Sequence, residues 1–370
     1  MVLPEMVRDL QLNYTLVGVI TGVSHVSTLL SVPIAGFLTS RYGGLRLLVG
    51  IQLLGSILLG SLYFSQGFIS LFIINFLIRA WPVMTWIPLV SIAVEHIDFK
   101  WRGTMLAAVS SSACFFVFVD GQISSYFLEH FNWRIMWLAV AIICLISSLI
   151  SWISLKLIGC WQVVTYHSNE KKKQSYIAVL AWLKSRSGIV INILFLITGL
   201  TYVAFQNYLA AYLRDELGLG LDLTAVIWTV MGISGVFGGL VIGLVTDRFG
   251  VRTSMIFVFS LSFLAALILC FPVSPFYCIV MAVLFGVAQA AVYGLGPTYI
   301  SKTLPGELAA NAFTFSSLVL SIGVLLGNFL GGWSNSLTGT FWWLYVIEGV
   351  LFALGALLSL LLVSEKQVVT

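Results

Sequence analysis

Residues 36–46 read GFLTSRYGGLR, and residues 243–252, beginning 207 positions later, read GLVTDRFGVR. Both segments keep a glycine, a threonine, an arginine beside an aromatic, a second glycine and a closing arginine, with one extra glycine in the first. The register extends in both directions. Upstream, Arg8-Asp9 aligns with Arg214-Asp215, and Asn13 and Asp222 stand where each following helix needs an N-cap. Downstream, Pro88 and Pro297 fall at corresponding points. So many landmarks at nearly the same spacing describe a duplicated unit.

Composition says what the unit is made of. Of the 370 residues, 60% are apolar and 9% charged, against about 45–50% and about 25% in soluble domains. A mean hydropathy of +1.05 agrees. So few charges cannot clothe a core against water, which excludes soluble enzymes, nucleic-acid binders and disordered scaffolds. Five cysteines (Cys114, Cys144, Cys160, Cys270 and Cys278) lie in or beside apolar runs without motif spacing and read as packing residues. No metal site and no cofactor is expected.

A bilayer core of about 30 Å needs about 20 apolar residues per helix, and lipid admits only helices or closed barrels. These runs are too long for barrel strands, so the fold class is all-α and polytopic. Helices are expected at 14–39, 46–65, 68–94, 104–128, 135–158, 187–212, 223–246, 253–271, 275–300, 308–332 and 341–363, eleven in all. They group into a bundle of five over 1–158, a linker over 159–186 and a bundle of six over 187–370. In the second half one complete helix precedes the Arg-Asp landmark, while in the first the landmark sits at Arg8. The repeat therefore predicts six plus six helices, with the opening helix of the first half missing from this sequence.

Lys and Arg set the orientation. One set of loops holds Arg41, Arg46, Lys100, Arg102, Lys156, Lys171, Lys172, Lys173, Lys184, Arg186, Arg248, Arg252, Lys302 and Lys366, and the other only Arg8, Arg134 and Arg214. The first set is expected in the cytoplasm, placing the C-terminus inside and residue 1 outside a plasma (inner) membrane.

The doubled loop resembles the G-x-L-x-D-R-x-G-x-R signature of the major facilitator superfamily of secondary transporters. The second copy keeps Gly243, Asp247, Arg248, Gly250 and Arg252. The first keeps Gly36, Arg41, Gly43 and Arg46 but has Ser40 for the aspartate. Trp133-Arg134 and Arg102-Gly103 are similar to further superfamily features. The resemblance covers essentially the whole chain and implies two pseudo-symmetric bundles, with this loop latching one access state. On physical grounds, Gly36 and Gly243 permit close helix crossings, and Asp247 could cap a neighbouring helix N-terminus. A topogenic loop with a tight turn is the competing reading.

Charges at bilayer depth cost at least about 2.5–3.5 kcal/mol on insertion scales and so invite functional hypotheses. Arg79 lies roughly 16 Å from the outer face at 1.5 Å per residue. It resembles the superfamily's fourth-helix arginine, which is associated with proton coupling, although Ala80-Trp81-Pro82-Val83 replaces the glycine-rich sequence that normally follows. It either lines a cavity, or is held by helix carbonyls or snorkels outward. Asp120, roughly 12 Å deep, could pair with it as a proton or anion site, or as a structural ion pair. His25 is a titratable group or a satisfied packing residue. By resemblance, Gln206, Asn207, Tyr208, Gln289 and Tyr293 occupy cavity-lining helices, where they bind solute or join helices. Glu348 sits in the peripheral last helix and is set aside.

These readings predict a monomeric secondary transporter, antiporter or symporter, for a small solute. An organic anion is the indicated class, protons are the coupling ion, and the bilayer is the other partner. The alternative is a permease-like protein that does not transport. An intramembrane enzyme would need a His-Glu-x-x-His or paired-aspartate site, and the sequence has neither.

Overall fold

Helix boundaries fall where the repeat register puts them. The computed structural model describes residues 1–96, 99–157, 179, 181–271, 274–304 and 306–363, the side chains at 32, 33, 36, 40, 87, 90–96, 99–113, 155, 306, 307 and 310 excepted. Among these residues every regular element is a helix. The first half contains α1 (Leu3–Asp9), α2 (Tyr14–Tyr42), α3 (Gly44–Ser61), α4 (Phe68–Ile78), α5 (Trp81–His96), α6 (Phe99–His130) and α7 (Trp133–Leu157). The second contains α8 (Arg186–Ala211), α9 (Leu221–Phe249), α10 (Val251–Leu269), α11 (Pro275–Thr303), α12 (Gly306–Thr338) and α13 (Trp342–Ser359). A spacing of 207 residues carries α2 onto α9 at both ends, and the first residues of α3, α4 and α6 onto those of α10, α11 and α12. Ten helices among the described residues are long and apolar enough to cross a membrane. The span expected at 104–128 falls within α6. Most of the linker expected at 159–186 lies outside the described residues.

Two departures from the expected helices have local causes. The span 68–94 is not continuous: α4 ends at Ile78 and α5 begins at Trp81. Pro82 explains the break. It has no N–H for the Ile78 carbonyl, and as the second residue of α5 it occupies the one turn where that donor is dispensable. The N-caps differ as well. Asn13 accepts from the Leu16 N–H at 2.8 Å as expected, whereas Gly220 caps α9 and Asp222 sits in its first turn. An acidic residue there still complements the helix dipole.

Each half has its own apolar cluster. In the first, Leu59, Leu62, Leu71, Trp133 and Met136 are buried with Val2, Met6 and Leu10. The second is aromatic: Phe205 stacks on Phe285 at 4.0 Å, and Tyr345 and Phe352 meet Phe205 at 5.0 and 6.4 Å. Large apolar side chains such as Phe64, Ile69 and Leu244 are more than 70% exposed, as a lipid-facing surface requires.

The halves meet along two seams, α2 against α12 and α6 against α9. The repeat register maps α2 onto α9 and α6 onto α12, so it turns each seam into the other. That exchange is the signature of a pseudo-twofold relation between the bundles.

The loop signature is a one-residue hinge in both copies. Gly43 ends α2 and precedes α3 with φ 83° and ψ 147°, and Gly250 does the same between α9 and α10 with φ 89° and ψ 163°. Only glycine reaches this backbone region at no cost, and other residues pay of order 1–3 kcal/mol. Gly250→Ala is therefore expected to lower the thermal unfolding midpoint of the micelle-solubilised protein. Gly50→Ala, inside α3 with nothing within 4 Å of an added Cβ, should leave the midpoint unchanged or raise it. Equal midpoints for the two variants would contradict the hinge.

Candidate functional site

The break between α4 and α5 makes the first site. Arg79 follows the last residue of α4, and its carbonyl accepts from the Thr28 hydroxyl at 3.0 Å. Its side chain lines a cavity of about 210 Å³ within the first bundle, walled by α2, α3, α4 and α7 and roofed by Leu3, Met6 and Val7 of α1. Asn75, Thr21 and Trp137 contribute to the lining, and the remainder is aliphatic. Among the described residues, the indole N–H of Trp137 and Nε2 of His25 are buried without hydrogen-bond partners.

The expected Arg79–Asp120 pair does not form. Among the described residues no carboxylate lies within ion-pair distance of Arg79. Asp120 instead accepts from the Ser124 hydroxyl at 2.8 Å and lies 3.9 Å from the Met1 amino group, with its side chain 46% exposed. Residues at equal depth on different helices need not face each other.

In the second half the expected polar residues bind one another. Gln289 donates to Gln206 at 2.6 Å. Asn207 donates to Asn328 at 2.6 Å, and Tyr208 donates to the Asn328 carbonyl at 2.7 Å. Tyr293 packs beside Tyr202 at 6.3 Å and is 41% exposed. Of these residues, Gln206 and Gln289 join α8 to α11, and Asn207 and Tyr208 join α8 to α12, which is one of the two roles open to them. Asn328, on which Asn207 and Tyr208 converge, carried no sequence signal. Glu348 is buried, with neither carboxylate oxygen partnered among the described residues, beside a cavity of about 180 Å³ that includes Ser334 and Thr338.

The signature loops lie at the opposite end of the bundles from α1. There Asp247 and Gly243 line a crevice of about 340 Å³ with Cys114 from the first half and Ala291, Gly294 and Thr298 from α11. One expectation is corrected here. An added Cβ on Gly243 meets nothing within 4 Å among the described residues, so no helix there crosses it closely. Asp247 has no ion-pair partner among the described residues. Arg41 lies over the Phe37 and Tyr42 rings at 6.0 and 5.5 Å, and Arg248 over Phe249 at 5.4 Å. Arg46 and Arg252 lie at the starts of α3 and α10, and Gly36 lies within α2.

At the α1 end the halves are joined. Arg8 pairs with Asp215 and Arg214 with Glu5. Tyr14 donates to Asp215 at 2.8 Å, and the Thr15 hydroxyl donates to Ser336 at 2.6 Å. Two carboxylates each tie the segment before a long helix to the start of the last helix of the same half. Asp9 pairs with Arg134 and accepts from the Trp133 indole at 3.1 Å, at the start of α7. Glu216 accepts from the Phe341 N–H and the Thr340 hydroxyl, both at 2.6 Å, at the start of α13.

A two-bundle helical membrane protein, related by internal repeat and closed at one end of its seams, is the architecture of a transporter. The family model of the Major Facilitator Superfamily matches residues 1–243 and again 191–369. The chain belongs to that superfamily of transporters of small solutes. It is 22% identical over 388 residues to the cis,cis-muconate transport protein of Acinetobacter baylyi, covering 99% of this chain and 91% of that one. Crystal structures of the nucleoside transporter NupG share its fold. An aspartate-to-alanine variant of NupG aligns with a TM-score of 0.76 at 14% identity, and the parent with 0.74 at 13%, each covering 96% of this chain and 92% of the other.

Proposed function

We propose that this chain is a secondary transporter that moves a small organic anion by alternating access, coupled to protons and without a cofactor. The observation that carries the reading is the Arg79 guanidinium, held at a helix break inside the bundle and facing a cavity that offers no carboxylate among the described residues. A buried cation without a counter-charge is costly, and an anionic solute would supply the missing partner. The resemblance to a muconate transporter supports the same solute class, since muconate is a dicarboxylate. His25 and Asp120 are the proton-carrying candidates of the first half. Gln206, Gln289 and Tyr293 are the solute-facing candidates of the second. The charge bias of the loops supports an orientation with the α1 end outside and the signature loops in the cytoplasm, and the proposed protein acts as a monomer in a plasma (inner) membrane.

The test is uptake into right-side-out vesicles across a panel of monocarboxylates, dicarboxylates and nucleosides, with and without an imposed pH gradient. Saturable uptake of carboxylates is expected, stimulated by an inward proton gradient, with the stimulation reduced in Asp120→Asn or His25→Gln. Uptake of nucleosides with carboxylates ignored would overturn the anion assignment. Vesicles that accumulate nothing, with the protein present and folded, would favour a permease-like protein without transport.

A further inference from the structure

We propose that Glu348 is a proton-binding site of the second half, a carboxylic acid held in the packed interior and approached from the bilayer through the cavity beside it. Helix periodicity sets its position. Tyr345, Glu348, Phe352, Gly355 and Ser359 are buried and spaced three or four apart, so they form one stripe of α13, the helix that packs on α8 and α10. The rings one turn before and one turn after Glu348 meet Phe205 of α8, Tyr345 at 5.0 Å and Phe352 at 6.4 Å. Glu348 itself is 1% exposed. An apolar residue would fill this place without an electrostatic cost, so an acid here calls for a function.

The surrounding elements offer it no counter-charge. Their titratable groups are Tyr345 in α13, Tyr212 just past α8, whose ring meets Tyr345 at 4.8 Å, and Cys270 just past α10. None is a cation, and each spends its hydrogen elsewhere. Tyr345 donates to the Phe205 carbonyl at 3.4 Å, Tyr212 to the Leu269 carbonyl at 2.8 Å, and Cys270 to the Ala266 carbonyl at 3.3 Å. On α12 the Thr338 hydroxyl donates to the Ser334 carbonyl at 2.8 Å. Glu216, bound at the start of α13, is a second carboxylate. Both Glu348 oxygens therefore lack a partner among the described residues. An ionised carboxylate so placed has neither water nor a cation to offset its desolvation, whereas the neutral acid avoids that cost. The neighbouring cavity of about 180 Å³ lies between α8, α12 and α13, and its lining residues Trp333, Leu337 and Ile347 are exposed on the outside of the bundle. This is the side from which an apolar reagent dissolved in the bilayer approaches Glu348. Ionisation would put a charge between two rings packed on Phe205, so release of the proton and loosening of α13 from α8 are one event.

The proposal goes beyond the transport reading and does not depend on it, and its test, on the full-length protein in lipid vesicles, needs no solute. Dicyclohexylcarbodiimide partitions into the bilayer and reacts with carboxylic acids. The acid proton goes to one carbodiimide nitrogen and the carboxyl oxygen bonds to the central carbon. The acyl group then shifts from oxygen to nitrogen, which leaves a stable N-acylurea with no atom lost. Peptide mass spectrometry is expected to find this adduct on Glu348. Its rate of formation should change by less than about threefold from about pH 5 to about pH 7, whereas a glutamate ionising near 4.3 loses its reactive acid by close to about a hundredfold. Glu129, with a side chain 62% exposed, is the comparison: a water-soluble carbodiimide with an amine nucleophile should modify it and leave Glu348 untouched. The second measurement is thermal. Glu348→Gln copies the shape and neutrality of the acid but cannot ionise. The wild-type unfolding midpoint should match that of the variant near about pH 5 and fall below it towards about pH 9, because unfolding then releases a proton that the fold retains. Absence of the Glu348 adduct, or a rate that falls like that of an ordinary glutamate, overturns the site. So does a wild-type midpoint above that of Glu348→Gln across the whole range, the result a charged and paired carboxylate gives. Should Glu348→Gln not fold, the pH profile of the wild-type adduct decides alone.

Discussion

Arg79→Ala is expected to lower uptake of an anionic solute by about a hundredfold, because truncating one member of a desolvated charge pair costs about 2–5 kcal/mol. The same substitution should not destabilise the protein. No carboxylate within the described residues loses a partner when the guanidinium is removed, so no orphaned charge is created. Removing an uncompensated buried cation relieves a desolvation cost instead. Uptake and thermal stability should therefore move independently: a large loss in initial rate, and an unchanged or higher unfolding midpoint in detergent. Arg79→Lys separates charge from geometry. It keeps the cation but loses the planar fork that grips a carboxylate through two parallel hydrogen bonds, so an intermediate rate is expected. Should Arg79→Ala lower the unfolding midpoint and leave uptake intact, the arginine would be a structural clamp on the α4–α5 break, where the backbone already engages Thr28.

Much of this architecture was legible in the chain itself, and the parts that were not share a physical reason. Hydropathy located the helices because lipid demands long apolar runs, and the loop repeat located the symmetry because duplicated segments keep their spacing. The 207-residue register that pairs the two glycine hinges also pairs the helix ends of α2 and α9. Hydropathy averages over a window, however, and so ran through the break at Arg79–Ala80 even though Pro82 announced it. Contacts between helices were harder. A helix that is apolar on all sides has no phase to read, so the depth of Asp120 was inferable but its direction was not. The same applies to the Gln206–Gln289 bond: both amides were visible as polar residues in lipid, and nothing in the sequence said they would satisfy each other. Arg8, Arg214 and Asp215 were visible as repeat landmarks. Equivalence in a repeat says which residues are alike, not which residues touch, so the crossed pairing emerged only in three dimensions.

The seams offer the second large effect, since they bring backbones together at a pair of equivalent points. A Cβ added to Gly18 in α2 would lie 2.7 Å from the Asn328 carbonyl oxygen of α12 and 3.2 Å from the Tyr208 hydroxyl. On the other seam, a Cβ added to Gly121 in α6 would lie 3.0 Å from the Ala225 carbonyl oxygen of α9. The register maps residue 18 onto 225 and 121 onto 328, so these are one crossing seen from both sides of the pseudo-twofold relation. They are not equally tolerant. Asn328 is held by Tyr208 on its carbonyl, by Asn207 on its side-chain oxygen and by its own bond to the Val324 carbonyl at 2.8 Å, so the oxygen facing Gly18 has little room to retreat. Small residues at such crossings let helices in lipid gain packing that hydrophobicity alone does not supply. Gly18→Ala is therefore expected to cost about 1–3 kcal/mol by overpacking, read as a lower unfolding midpoint in micelles. Gly121→Ala, at the looser contact, should cost less. Gly18→Leu should force the α2–α12 seam apart and abolish uptake even where folded protein is recovered, because the halves would rock about a seam that no longer closes. Equal and small losses for Gly18→Ala and Gly121→Ala would mean that the seams do not carry the packing assigned to them, and that the halves are held mainly by the ion pairs at the α1 end.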